Sequence, residues 1–214
     1  IEGEAARMGL LVDDLLLLDR LDQHRPLERE IVDVVPIVRD AVADAHAVAP
    51  HRAIRAETTA GTPPLVIGDE ARLRQVVGNL MSNALTHTPD TAAITVRLDV
   101  RAEADRSWVL LEVCDNGPGL TPADAARVFE RFYRVETSRS RANGGSGLGL
   151  SIAAGIVAAH EGTIEVETAE GNGATFRVRL PLALMTGTDE TGPDDEEPAP
   201  SSPAPTPATA PATG

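Results

Sequence analysis

An α+β two-layer sandwich is the fold this sequence predicts. Three observations carry that expectation. Amphipathic helical stretches are interspersed with short strand-like stretches. The later strands come in pairs, as an antiparallel sheet with helices on one side requires. The chain has 214 residues, 42% of them hydrophobic, enough for one domain with a sizeable core plus appendages.

The elements follow in order. Residues 1–24 read as a helix, with Met8, Leu11, Leu15 and Leu18 on a narrow apolar seam that Pro26 stops. That seam suits a helical bundle or dimer, or packing on the helix's own domain. Residues 25–32 read as a linker, and 33–49 as a second amphipathic helix. "AIRAETTA" and "PLVIG" are short strands. Gly68-Asp69 opens a third helix, Asp69 its N-cap. Leu73, Val76, Val77, Leu80, Met81, Ala84 and Leu85 keep one face of it apolar, and Pro89 ends it. "AAITVRLDV" and "WVLLEVCD" form a hairpin, and "NGPGL" is a turn. "TPADAARVF" is a short helix with Thr121 as N-cap and Pro122 in its first position. A further helix spans 148–160. "GTIEVETAE" and "ATFRVRLP" make the last hairpin, through Gly171-Asn172-Gly173. The domain is expected over 33–184, followed by an acidic, disordered Pro/Ala/Thr-rich tail over 185–214.

Composition excludes several function classes. The net charge of −14 argues against nucleic-acid binding, although six of the acidic residues sit together in the tail between Asp189 and Glu197. All 19 basic side chains are Arg, so chemistry requiring Lys is out, including a P-loop and the strand lysine of eukaryotic-type kinases. One Cys, Cys114, excludes a disulfide framework and a multi-Cys zinc site. No apolar run reaches the ~18 residues of a membrane span, so no direct membrane contact is expected. The opening "IEGEAARMGL" reads as the start of a piece of something longer.

Three stretches carry candidate chemistry. In "GGSGLGLSIAAG", Gly145, Gly147 and Gly149 alternate just where a helix begins. Loop amides and the positive end of the helix together suit an anion, most naturally phosphate, although a hinge reads the same way. Asn79 and Asn83 lie four apart on the third helix, opposite its apolar stripe. Amide oxygens can ligate Mg²⁺ where phosphates supply charge; the alternative is a pair of solvated amides. Asp115 ends a strand before Gly117-Pro118-Gly119. Its carboxylate can accept from an exocyclic amine, with glycines leaving room for a flat ring, or it can make an Asx turn.

In their order, "NLMSNALTHTP", "DNGPG", "FERFYR" and "GGSGLGL" closely resemble the ATP-binding catalytic domain of bacterial sensor histidine kinases, within the GHKL superfamily. The likeness covers about residues 1–182 and implies the Bergerat α/β sandwich. It implies ATP and Mg²⁺ as cofactors. Asn79 and Asn83 match the N box that binds metal and phosphates. Asp115 matches the aspartate that binds the adenine amine, beside Gly117 and Gly119. Phe129 and Phe132 match the box at the base of a mobile lid over 134–147. Arg134 matches a cation near the γ-phosphate, Arg139 and Arg141 being weaker candidates. Gly145, Gly147, Leu148 and Gly149 match the second glycine box, and Thr175 a threonine near the adenine. Thr86 stands where relatives often carry Lys, and His87 where an aromatic often lies on the nucleotide; His87 also suits a helix C-terminus.

The superfamily's ATPases place a Glu, the base for water, four residues before the metal-binding Asn. Here that position is Asn79, so transfer to another nucleophile is favoured over hydrolysis. The family's acceptor is a His in a His-Glu/Asp-x-x-x-Pro setting. None of His24, His46, His51, His87 and His160 has it. Residues 1–24 resemble the second helix of the family's dimerisation hairpin, which places the acceptor on a helix upstream of Ile1. The resemblance thus implies a protein-histidine kinase catalytic part acting in two-component signalling. It implies a response regulator receiver domain as partner, a homodimer in the intact protein, and a cytoplasmic location behind an absent plasma-membrane anchor. Two other readings share these boxes: a nucleotide-sensing module without turnover, favoured by Thr86, and the anti-sigma-factor serine kinases, disfavoured by the helix at 1–24.

Overall fold

A computed structural model describes residues 28–135 and 146–183. The expected helix over 1–24, most of the expected lid, Gly145 and the acidic tail lie outside the described residues.

The first element is a strand. β1 (Glu30–Asp33) pairs antiparallel with β3 (Leu65–Gly68), Ile31 opposite Ile67. Part of the stretch expected to be linker is therefore strand. Its four residues show no clear alternation, and the pairing partner lies far along the chain, so nothing local marks it.

Asp33 then caps α1 (Val34–Val48), its carboxylate accepting from the Val35 N–H at 2.9 Å. α1 buries Val34, Ile37, Val38 and Ala45. β2 (Ile54–Thr58) and β3 lead to α2 (Glu70–His87), which Asp69 caps by accepting from the Arg72 N–H at 3.0 Å. Leu73, Val76, Val77, Leu80, Met81 and Ala84 are its buried stripe, as periodicity predicts. Thr88 ends the helix because the residue before Pro89 is pushed to extended backbone.

The main sheet has five strands in the order β2, β4 (Ile94–Ala102), β5 (Ser107–Asp115), β7 (Ala174–Pro181), β6 (Thr163–Thr168). Both predicted hairpins form, β4 with β5 and β6 with β7, and β2 joins β4 in parallel. Two helices interrupt the strands: α3 (Pro122–Ala125), capped by Thr121, and α4 (Gly149–Ala159).

Strand alternation sorts the two faces of the sheet. Ile94, Val96 and Leu98, then Val109, Leu111 and Val113, then Phe176, Val178 and Leu180 join the helix stripes in one core. The opposite face carries charges. Arg177 there reaches Glu112 at 2.7 Å, Glu165 at 3.0 Å and Glu167 at 3.3 Å, spanning three strands. This is the predicted two-layer sandwich.

Two ties fix the frame at the N-terminal end of α2. His160, 6% exposed, accepts from the Asp69 N–H through Nε2 at 3.0 Å, so its proton sits on Nδ1 and is donated to the Ile156 carbonyl at 2.8 Å. The Ala183 N–H donates to the Leu65 carbonyl at 2.8 Å, bringing the end of the described chain onto β3.

Candidate functional site

A cleft of about 440 Å³ opens beside the C-terminal half of α2. The strand ends at Asp115 and Ala174 form one wall and the start of α4 another. Its size and mixture of apolar and polar walls suit a small-molecule site.

From α2, Asn79, Asn83, Thr86 and His87 line it. Both asparagines are half-buried, so neither is a solvated surface amide. Asn79 donates through Nδ2 to the Gly149 carbonyl at 2.9 Å, tying α2 to the start of α4. That orientation makes Oδ1 the side chain's acceptor. His87 sits at the rim. Crowding by the cleft walls pushes its imidazole pKa below the ordinary value, and the Arg134 cation adds to this, while the outer edge of the residue stays exposed.

At the other end, Asp115 accepts the Gly117 N–H at 2.9 Å. Burial raises its carboxyl pKa; the Gly117 and Ala174 amides and the Arg52 cation pull the other way. Asp115 is the one carboxylate among the described lining residues. Gly119, at φ +68°, has no room for a side chain: a Cβ would lie 2.0 Å from the Ala169 carbonyl oxygen.

The third wall is α4. Leu148 precedes it with no side-chain cap, so the first-turn N–H groups have no side-chain partner. Gly147, at φ +73°, lies against the backbone of Phe132 and accepts its N–H at 3.0 Å. Phe132 itself has φ +62°, a costly conformation for a bulky residue. Tyr133 and Arg134 complete this side. The Tyr133 hydroxyl donates to Asp124 at 2.6 Å and its ring carries Arg127 at 4.3 Å. With Thr121, that hydroxyl holds the Asp124 carboxyl below the usual range.

The structure thus brings Asn79, Asn83, Thr86, His87, Asp115, Gly119, Arg134, Gly147 and Gly149 onto one cleft. Four expected site residues do not line it. Thr175 points to the other face of the sheet, where its hydroxyl meets Cys114; strand alternation gives the cleft Ala174 and Phe176 instead. Leu148 is fully buried beneath α4. Gly117 stands behind Asp115, packed against Thr88. Phe132 is 58% exposed, and its partner Phe129 turns inward to meet Phe176 edge-on at 6.2 Å. Thr88 and Ala174 line the cleft without having been singled out in the sequence.

The donor set fits a hard divalent ion only in part: two amide oxygens of adjoining helical turns, and no cluster of three His, Cys, Asp or Glu among the described residues. Such a site needs anionic oxygens from its ligand.

Known proteins agree with this geometry. The family profile described as histidine kinase-, DNA gyrase B-, and HSP90-like ATPase matches residues 68–184. A probable sensor histidine kinase, TcrY of Mycobacterium tuberculosis, is 46% identical over 182 residues, 85% of this chain and 37% of its own length. The chain thus spans little more than a third of that relative. Among solved structures, the mycobacterial sensor histidine kinase MprB superposes with a TM-score of 0.61 at 29% identity, covering 73% of this chain and 99% of that one. Full-length ShkA, solved with AMPPNP, gives a TM-score of 0.69 at 31% identity, covering 84% and 37%.

Proposed function

Because the chain belongs to the family of histidine kinase-, DNA gyrase B- and HSP90-like ATPases, we propose that it is the ATP-binding catalytic part of a sensor histidine kinase. The observation that carries this reading is the convergence of the Asn79–Asn83 amides, the uncapped start of α4 and Asp115 on one cleft. Asp115 accepts the adenine amine. The α4 amides and Gly147 hold the phosphates, and Arg134 neutralises charge near the γ-phosphate. Asn79 and Asn83 would hold Mg²⁺, which would supply charge neutralisation during transfer.

The chain's own contribution is positioning. Asp115, the one carboxylate among the described lining residues, is engaged by Gly117, and position 79 is an amide. The described cleft therefore presents no carboxylate to activate water beside the phosphates, and transfer to another nucleophile is favoured. That nucleophile is a histidine elsewhere in the longer protein, for relay to the aspartate of a response regulator receiver domain. His160 is unsuitable because it is buried with both ring nitrogens engaged. Homodimerisation of the intact protein belongs to the same proposal.

The test is an ATP titration with and without Mg²⁺ beside Asp115→Asn and Asn83→Ala, followed by addition of a polypeptide carrying the acceptor helix. Binding lost in Asp115→Asn and weakened in Asn83→Ala, with phosphohistidine formed on the added helix, supports the proposal. Wild type that binds no ATP overturns it. Binding without transfer favours the second reading, a nucleotide-sensing module; Thr86, with no cation to offer, is the feature that speaks for it.

A further inference from the structure

Arg52 lies between α1 and β2 and takes no part in the chemistry described above. It is 5% exposed, deep burial for a guanidinium. Its Nε donates to the Ala92 carbonyl at 2.8 Å, Nη1 to Leu85 at 3.2 Å, and Nη2 to Ala84 at 3.4 Å. Nη2 also donates to the Thr88 hydroxyl. Ala84 and Leu85 belong to the last turn of α2, whose carbonyls have no partners further along the helix. One rigid fork therefore closes the end of α2 and holds the turn that leads into β4.

The same fork reaches the cleft through Thr88. Thr88 lines the cleft, donates to the Ala84 carbonyl at 2.6 Å, and packs on Gly117. Gly117 in turn donates to Asp115. From the side away from the cleft, Arg52 and Asp115 act on each other as opposite charges, and Asp90 acts on Arg52. His87, Tyr133 and Arg134 are the other titratable groups in the described lining.

We propose that Arg52 is a positioning residue for the adenine end of the cleft, fixing Thr88 and the end of α2 behind Asp115 and so setting both its shape and its charge. The proposal rests on the nucleotide-binding reading above. Arg52 touches no ligand. It acts through Thr88, through Gly117, and through the field at Asp115.

The test uses the full chain with Arg52→Gln, Arg52→Lys and Thr88→Val. The first readout needs no nucleotide: a carboxyl ¹³C NMR titration of Asp115. The second is ADP affinity by displacement of a fluorescent analogue. Arg52→Gln is expected to move the Asp115 midpoint upward and weaken ADP roughly tenfold, the worth of one charge-assisted bond. Arg52→Lys keeps the charge and the midpoint but weakens ADP, because an ammonium cannot reproduce the fork. Thr88→Val keeps the midpoint and weakens ADP several-fold. If Arg52→Gln fails to fold, the other two variants decide: wild-type ADP affinity in both overturns the proposal. So does an Asp115 midpoint in folded Arg52→Gln equal to that of wild type. Wild type that binds no ADP would overturn the nucleotide reading and with it the positioning role, while the titration would still decide the Arg52–Asp115 coupling.

Discussion

Gly117→Ala adds one methyl group to the back of the adenine end, and its consequences can be worked out from distances. The new Cβ would sit 2.5 Å from Thr88 Cγ2 and 2.8 Å from Asp115 Oδ1. Carbon–carbon contacts are ordinarily about 3.5–4.0 Å, so the Thr88 methyl must retreat by about 1 Å. Gly117 is not among the residues with positive φ, so alanine fits the backbone and the cost is steric. Thr88 cannot simply swing away, because its hydroxyl is engaged by both Ala84 and Arg52. Asp115 is the other group that can move, at the expense of its bond to the Gly117 N–H. Overpacking of this kind costs about 1–3 kcal/mol. At about 2–4 °C per kcal/mol for a domain of this size, a 2 kcal/mol loss lowers Tm by about 4–8 °C. A displaced carboxylate should also weaken ATP roughly tenfold, the worth of one charge-assisted bond. Thermal melts followed by circular dichroism and displacement of a fluorescent ATP analogue measure both. An alanine variant melting within about 1 °C of wild type with the same ATP affinity would refute the claim that Thr88 and Asp115 are rigidly held.

The remaining predictions concern a second glycine and acid. Gly78 lies exposed in the interior of α2, with nothing within 4 Å of an added Cβ, so Gly78→Ala is expected to stabilise by about 0.5–1 kcal/mol. A melt that shows a loss instead would mean that this face of α2 is covered in solution. Asp115 has a raised pKa, so the folded chain takes up its proton more readily than the unfolded one. Its contribution to stability therefore declines as pH rises from the ordinary carboxylate value through the folded pKa. Nucleotide affinity runs the opposite way, since the ionised carboxylate is the stronger acceptor for the adenine amine. ATP affinity measured from pH 7 downward should begin to fall at a higher pH than an ordinary aspartate would allow, in step with the Asp115 midpoint read by carboxyl ¹³C NMR.

Where the sequence predicted well, its signal was local and periodic. The stripe from Leu73 to Ala84 could only be a helix face, and Asp69 and Thr121 are caps readable from their own neighbourhoods. The cleft was legible as a set of motifs, but a motif does not say which side chain faces inward. Thr175 and Ala174 differ by one step of a strand, and that step reverses the face. Leu148 belongs to the glycine box by position, yet the core takes it because the turn entering α4 packs inward there. Arg52 was not legible at all. Its burial exists only once the end of α2, the Thr88 turn and Ala92 have assembled around it, and nothing local separates it from the 18 other arginines.

β3 receives both ends of the described chain: β1 pairs along it, and near the far end Leu182 bridges to Val66 while Ala183 bonds to Leu65. β7 runs from the cleft at Ala174 toward this meeting point, about 25 Å at strand rise. Both ends of the described unit thus meet at one place, a strand's length from the cleft. A pull on either end of this unit arrives at one short ribbon, whose next residue, Asp69, caps the helix that carries Asn79 and Asn83. The ribbon that gathers both ends thus continues directly into the helix whose far half lines the cleft.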